Sequence, residues 1–259
     1  MRPEMTNHRH ARLGPARSAS LTSTDLVARL VTVPGMLRPG ISSWDMKTRL
    51  PLHPLAVENA YGDPRLLHAI ATPGATFAHR LGVDVIVGAE TGGIPTRRCH
   101  WRATCCSRSC ASPGYVGHEE HEPRVRGAAV KDRRVLLVDD AVSEGNAIEA
   151  FASQLRSEGA TVVGVFVVVD MRDVAPSVTP AAAALPIESI ATYLQVLATA
   201  TELGVLDPNV HRLAVEALVN HWSDDDPRWS LLDERRVDAS QSNHLMLDRR
   251  DPPSEPKAS

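Results

Sequence analysis

The sequence has no apolar run near the roughly 20 residues that a membrane span needs. It has no excess of one charge either: the net value is −3, which draws it neither to nucleic acid nor to a membrane surface. The first twenty residues, MRPEMTNHRHARLGPARSAS, are polar and basic and lack the apolar core of a secretory signal. Residues 1–22 and 237–259 are therefore expected to be loose tails, with Met5 an alternative start. Cysteine is absent outside one short window, at Cys99, Cys105, Cys106 and Cys110. Without an export signal, the expected setting is a reducing cytoplasm, where disulfides are rare.

Hydrophobic residues make up 43% of the 259 positions, enough for one large domain or a core with appendages. Thr24 to Val33 reads as a helix capped by Ser23 or Thr24, and residues 34–64 show no clean period. Leu66 to Leu81 has helical spacing broken at Pro73-Gly74. Val83 to Gly88, Arg134 to Val138 and Thr161 to Val169 look like buried strands. Ala147 to Ser157 is an amphipathic helix stopped by Gly159. Strand, helix and strand with short joints predict a βαβ unit on a parallel sheet. Two further helices are expected, Ile187 to Leu203 and Pro208 to Trp222.

Residues 135–145, VLLVDDAVSEG, end a buried strand on two acids and then turn into a helix. Ligands of open parallel sheets bind beyond the carboxyl ends of strands. Two carboxylates there, Asp139 and Asp140, suit a vicinal diol such as a ribose 2′,3′ pair. A helix start beyond them suits a phosphate. The bland alternative is an exposed strand end with a helix cap. The fuller pattern is four aliphatics, Asp-Asp, two residues, Ser, one residue, Gly. It resembles the phosphoribosyl pyrophosphate (PRPP) signature of type I phosphoribosyltransferases. GAETGGIP, Gly88 to Pro95, follows another strand and resembles that family's pyrophosphate loop. The resemblance covers about residues 64–173. It implies an α/β fold, a mainly parallel sheet flanked by helices with a small hood. It also implies PRPP contacts at Glu90, Thr91, Gly92 and Gly93, and at Ala141, Val142, Ser143, Glu144, Gly145, Asn146 and Ala147. Two positions depart from the pattern. Glu144 puts an anion in a phosphate loop, and Ala147 stands where the family often has a hydroxyl.

Thr96 to Ser112, TRRCHWRATCCSRSCAS, has neither helical nor strand period. A zinc site from its four cysteines and His100 would use non-standard ligand spacing. A displaced reading frame accounts for it better. The family resemblance leads one to expect an apolar residue and Val-Arg-Lys before Pro113-Gly114. Phe-Val-Arg-Lys written TTC GTG CGC AAG, read from its second base, gives Ser-Cys-Ala-Ser, the residues at 109–112. Each Cys codon begins TG, so starting one base earlier gives Leu, Met or Val. Trp101 likewise becomes Leu, and the cysteine cluster becomes apolar positions. The expectation is a chain with impaired stability and activity.

Pro113 to Ala128 is polar and dense in charge. It resembles the family's flexible catalytic loop, with His118 a catalytic candidate. His121, Arg124 and Arg126 are candidates to meet pyrophosphate, in this subunit or a neighbouring one. Glu119, Glu120 and Glu122 would hold the loop open or join a metal shell, and a solvated loop is the plain alternative. Asp170-Met171-Arg172 resembles the Asp-Arg of orotate phosphoribosyltransferases with Met171 inserted. Arg172 is thus a candidate to fork onto a substrate carboxylate, or else a surface arginine. The domain is expected over 23–236, with a core at about 64–173 and a hood from 23–62 and 186–222. The implied reaction moves phosphoribosyl from PRPP to a nucleobase, orotate favoured, with Mg²⁺ as cofactor and no direct protein ligand to it. A purine enzyme and a non-catalytic PRPP sensor are the alternatives. A homodimer is implied, with no nucleic-acid or membrane partner.

Overall fold

Three nearly unbroken aliphatic runs build the centre of the sheet, because strands covered on both faces need no polar alternation. The structure, a computed structural model, describes residues 22–43, 49–53, 57–89, 112–116, 125–175, 177–220, 222–223, 226–229 and 231. The chain runs through α1 (Ser23–Val31), β1 (Arg38–Ser43), β2 (Arg49–His53), α2 (Val57–Ala60), α3 (Pro64–Arg80) and β3 (Val85–Ala89). It continues through β4 (Ser112–Val116), β5 (Val125–Gly127), β6 (Arg134–Val142), α4 (Asn146–Ser157) and β7 (Thr161–Asp170). It ends in α5 (Pro180–Ala184), β8 (Ile187–Thr192), α6 (Tyr193–Glu202) and α7 (Pro208–Val219).

Six strands form the main sheet in the order β5-β4-β3-β6-β7-β8. Only the β4–β5 pair is antiparallel. Alternate residues of each central strand feed opposite faces. Ile86, Leu136, Val138, Phe166 and Val168 pack with Leu30, Ile70, Phe77, Tyr193 and Leu197 of α1, α3 and α6. Val87, Val135, Leu137, Val165 and Val167 pack with Ile148, Phe151 and Leu155 of α4. Each such fully buried aliphatic or aromatic side chain contributes about 1.5–3 kcal/mol. The mainly parallel sheet flanked by helices agrees with the fold class expected from the sequence.

Several local expectations are corrected. α3 begins at Pro64, not Leu66, because the Asp63 carboxylate accepts from the Arg65 and Leu66 amides at 2.8 and 3.3 Å. It runs on through Pro73-Gly74, although Pro73 removes one ladder donor. Residues 187–192 are strand, not helix. β8 pairs with β7 from Val165–Ile187 to Asp170–Thr192, and a capping box of Thr192 and Gln195 then starts α6. Those six residues thus belong to the sheet and not to a hood. The aperiodic 34–64 region contains the β1–β2 hairpin. α7 packs against β2 and α1 against α6, so the first and last parts of the described chain meet. The expected loop 113–128 is partly sheet, since β4 and β5 take up both its ends.

Candidate active site at the β3–β6 switch point

β3 leads on to β4 on one side of it, whereas β6 leads through α4 to β7 on the other. The strand order therefore reverses between β3 and β6, and open α/β sheets bind ligands beyond the carboxyl ends of strands at such a point. β3 and β6 pair in register from Val85–Val135 to Gly88–Val138. The next residue of β6 is Asp139, so the twin acids sit at that end of the sheet. β6 itself continues to Val142, held to β7 through Asp139–Val167, Ala141–Val169 and Val142–Asp170.

Asp139 is only 8% exposed, the one charged residue among the described buried set. Burial, followed by the neighbouring Asp140 charge, pushes its carboxyl well above the ordinary carboxylate range. Its Oδ1 accepts from the Asp140 amide at 3.0 Å, which offsets part of that cost. Asp140 is half-buried, and its Oδ1 accepts from the Ala141 amide at 2.8 Å. A carboxyl of raised pKa beside a more exposed carboxylate can both donate to and accept from a pair of hydroxyls.

Beyond β6 the chain turns through Ser143 and Glu144 to Gly145, which caps α4 with φ at 88°. Glycine brings no side-chain cap, so the first-turn N–H groups of α4 keep their hydrogen-bonding capacity. The Glu144 carboxylate accepts from the Asn146 side-chain amide at 2.9 Å, which occupies the anion within the turn. Asn146 and Ala147 are exposed, while Ala141 and Ser143 are half-buried. Val142 is buried, and its carbonyl accepts from the Met171 amide at 2.8 Å. A Cβ on Gly145 would strike the Ala182 Cβ and come within 3.0 Å of the Thr179 hydroxyl. Gly145→Ala is expected to destabilise the chain by about 3 kcal/mol, from left-handed backbone strain plus overpacking. Thermal melting checks this, and an unchanged midpoint would show that the turn yields freely.

Arg172 comes just past the end of β7. Its Nε and Nη2 donate to the Asp170 carboxylate at 2.7–3.1 Å, and its Nη1 donates to the Ala182 carbonyl at 3.0 Å. Asp170, two residues earlier at the end of β7, presents both oxygens to the guanidinium fork. This pairing engages the Arg172 fork, a candidate for a substrate carboxylate, with groups of its own chain. Arg126 falls in β5, its backbone opposite Tyr115. Glu90, Thr91, Gly92, Gly93, His118, His121 and Arg124 lie outside the described residues, as does the window 96–111. Thr179 escaped the sequence reading; the Thr179-Pro180 pair, a helix-start signal, could have pointed to it.

Residues 112–178 match the phosphoribosyl transferase domain family. An orotate phosphoribosyltransferase of Pyrobaculum islandicum is 30% identical over 141 residues, which are 52% of this chain and 69% of that protein. The chain belongs to the phosphoribosyltransferase family. An adenine phosphoribosyltransferase of Sphingopyxis alaskensis is 29% identical over 181 residues, 65% of this chain and 93% of that protein. In fold, the chain is similar to the UMP synthase of Leishmania donovani. The TM-score is 0.65 at 20% identity, over 78% of this chain and 43% of that one. As in the reading of the motif, the acids and the α4 turn of this phosphoribosyltransferase occupy the strand ends at the switch point.

Proposed function

We propose that this chain transfers the phosphoribosyl group of PRPP to a ring nitrogen of a nucleobase and releases pyrophosphate. The observation that carries the reading is the pair Asp139–Asp140 at the switch point, followed directly by the Gly145-capped start of α4. In this reading Asp139 and Asp140 hold the ribose diol. The backbone amides from Ala141 to Ala147 hold the 5′-phosphate, which makes up for the hydroxyl missing at Ala147. Glu90, Thr91, Gly92 and Gly93, just past the end of β3, meet the pyrophosphate. His118, His121, Arg124 and Arg126 come from the 113–128 segment to stabilise the charge that builds on the leaving group. No covalent nucleophile enters; fixed orientation and electrostatics lower the barrier.

Mg²⁺ belongs to the same reading. The hard oxygen donors of Asp139 and Asp140 suit it, by way of sugar hydroxyls and water. When bound, the ion spreads the charge of the departing pyrophosphate. We place the protein in the cytoplasm as a homodimer. No described helix is long and apolar enough to cross a membrane. The charge-dense 113–128 segment, which resembles the family's catalytic loop, suits service to a neighbouring subunit's site.

Orotate is the favoured base, on the resemblance to orotate phosphoribosyltransferases. Adenine is the second reading. It is supported by the match to an adenine enzyme over 93% of that protein and by the engagement of Arg172 with Asp170. Pyrophosphate release from PRPP and Mg²⁺ is to be assayed with orotate, uracil, adenine, hypoxanthine and xanthine. Release is expected to be greatest with orotate. Greatest release with adenine would install the second reading. PRPP binding without release from any base would mark a sensor or an impaired enzyme, and no PRPP binding would end the assignment.

A further inference from the structure

The turn after β6 is held from outside by a segment that carries none of the expected ligand contacts. Three ties join them. The Thr179 amide donates to the Glu144 carbonyl at 2.8 Å. The Thr179 hydroxyl donates to the Gly145 carbonyl at 3.2 Å. Ala182 stands so close to Gly145 that no Cβ fits between them. Thr179 is also the N-cap of α5 and accepts from the Ala182 amide at 3.4 Å. One residue therefore anchors both α5 and the turn.

α5 has only five residues, too short to hold its place by its own helical hydrogen bonds. Arg172 supplies the missing anchor. Its Nη1 takes the Ala182 carbonyl, while Nε and Nη2 grip Asp170 at the end of β7. Asp170 also accepts from the Arg172 amide at 3.0 Å, and its backbone is in register with Val142. The ion pair is largely shielded, with side chains 26% and 14% exposed, so water weakens it less than it would a surface pair.

We propose that Arg172 and Thr179 are positioning residues that set the shape of the turn at Ser143–Asn146. The path runs from β7 through Asp170 and Arg172 to α5, and from α5 through Thr179 and Ala182 to Glu144 and Gly145. A helix start grips a phosphate only when its first amides converge on one point. The clamp fixes that convergence without touching the ligand. The inference rests on the reading of this turn as the 5′-phosphate cradle.

The test is calorimetric titration of the full chain with ribose 5-phosphate in Mg²⁺, with thermal melting of every variant. The parent chain is expected to bind. Thr179→Val removes the hydroxyl and keeps the shape, and is expected to weaken binding about tenfold, the scale of one lost hydrogen bond to the cradle. Thr179→Ser keeps the hydroxyl and is expected to restore the parent's affinity. Arg172→Met is expected to weaken binding at least as much as Thr179→Val. Arg172→Lys should not rescue it, because an ammonium cannot fork onto Asp170 and reach Ala182 together. A folded Thr179→Val chain with the parent's affinity would overturn the proposal. So would equal weakening by Thr179→Ser and Thr179→Val. If Arg172→Met fails to fold, the Thr179 pair alone decides. If the parent chain does not bind ribose 5-phosphate, the cradle reading itself fails and takes this inference with it. That outcome differs from parental binding with indifferent variants.

Discussion

Asp139→Asn is expected to make the ligand-free protein more stable at neutral pH and to remove most of its activity. Burial raises the Asp139 carboxyl above its ordinary value of 3.8. The folded chain therefore binds a proton there more tightly than the unfolded chain does. Linkage fixes the sign: stability is highest below 3.8, falls as pH rises from 3.8 through the raised value, and stays lower above it. Asparagine has no charge to desolvate, and its side-chain oxygen can still accept from the Asp140 amide. The melting temperature of Asp139→Asn should exceed the parent's at pH 8 by several degrees, since about 1 kcal/mol moves a chain of this size by about 2–4 °C. The gap should close as pH falls toward the ordinary carboxylate range. Turnover should fall by about a hundredfold or more, the scale of one lost site group that steadies transition-state charge. A variant that melts below the parent at pH 8 would refute the account of a strained, ligand-ready carboxyl. The stability withheld in the free state is of the kind that active sites commonly hold back.

If residues 96–112 come from a displaced frame, as expected from the sequence, recoding them in the other frame is expected to raise turnover by about a hundredfold, the effect of returning cationic help to a leaving pyrophosphate. Melting should rise with it. Restoration leaves Pro113 to Val116 of β4 as they are and changes that strand only at Ser112. What it returns is an apolar residue with Val-Arg-Lys just ahead of Pro113, and with it a basic pair. The family match also begins at Ser112, where the cysteine-bearing window ends. Sequencing the gene across the window and comparing turnover and melting of the two chains decide it. Equal values for the two would show that the cysteine-bearing sequence is the working one.

What could be read from the sequence was what burial writes most strongly. β3, β6 and β7 are continuous aliphatic runs with little else to become, and α4 carries an amphipathic stripe that ends at Gly159. The twin acids stood out because a buried run rarely ends in two charges. β8 was misread because IESIATYL also fits one face of a helix; the boundary is fixed by Thr192 and Gln195, a capping box inside the run. The β1–β2 hairpin was missed because Pro39, Gly40 and Pro51 break any alternation. The partners of Arg172 were out of reach for another reason. Asp170 is two residues away and was in view, but Ala182 is ten away and offers only a backbone carbonyl. Side-chain chemistry marks the ligands of a site and says little about its scaffolding.

Among the described residues, β6 outruns the level of Ala89, the last described residue of β3, by three residues, which at strand spacing is roughly 10 Å. The described parts of the two neighbours thus form a step rather than a flush edge. The tread is set by strand length, which evolution alters one residue at a time. If the acids hold a diol and the turn a phosphate, as proposed, shortening β6 would bring those two ends together and lengthening it would drive them apart. The size of sugar phosphate that fits would then be counted out in peptide units, before any side chain is chosen.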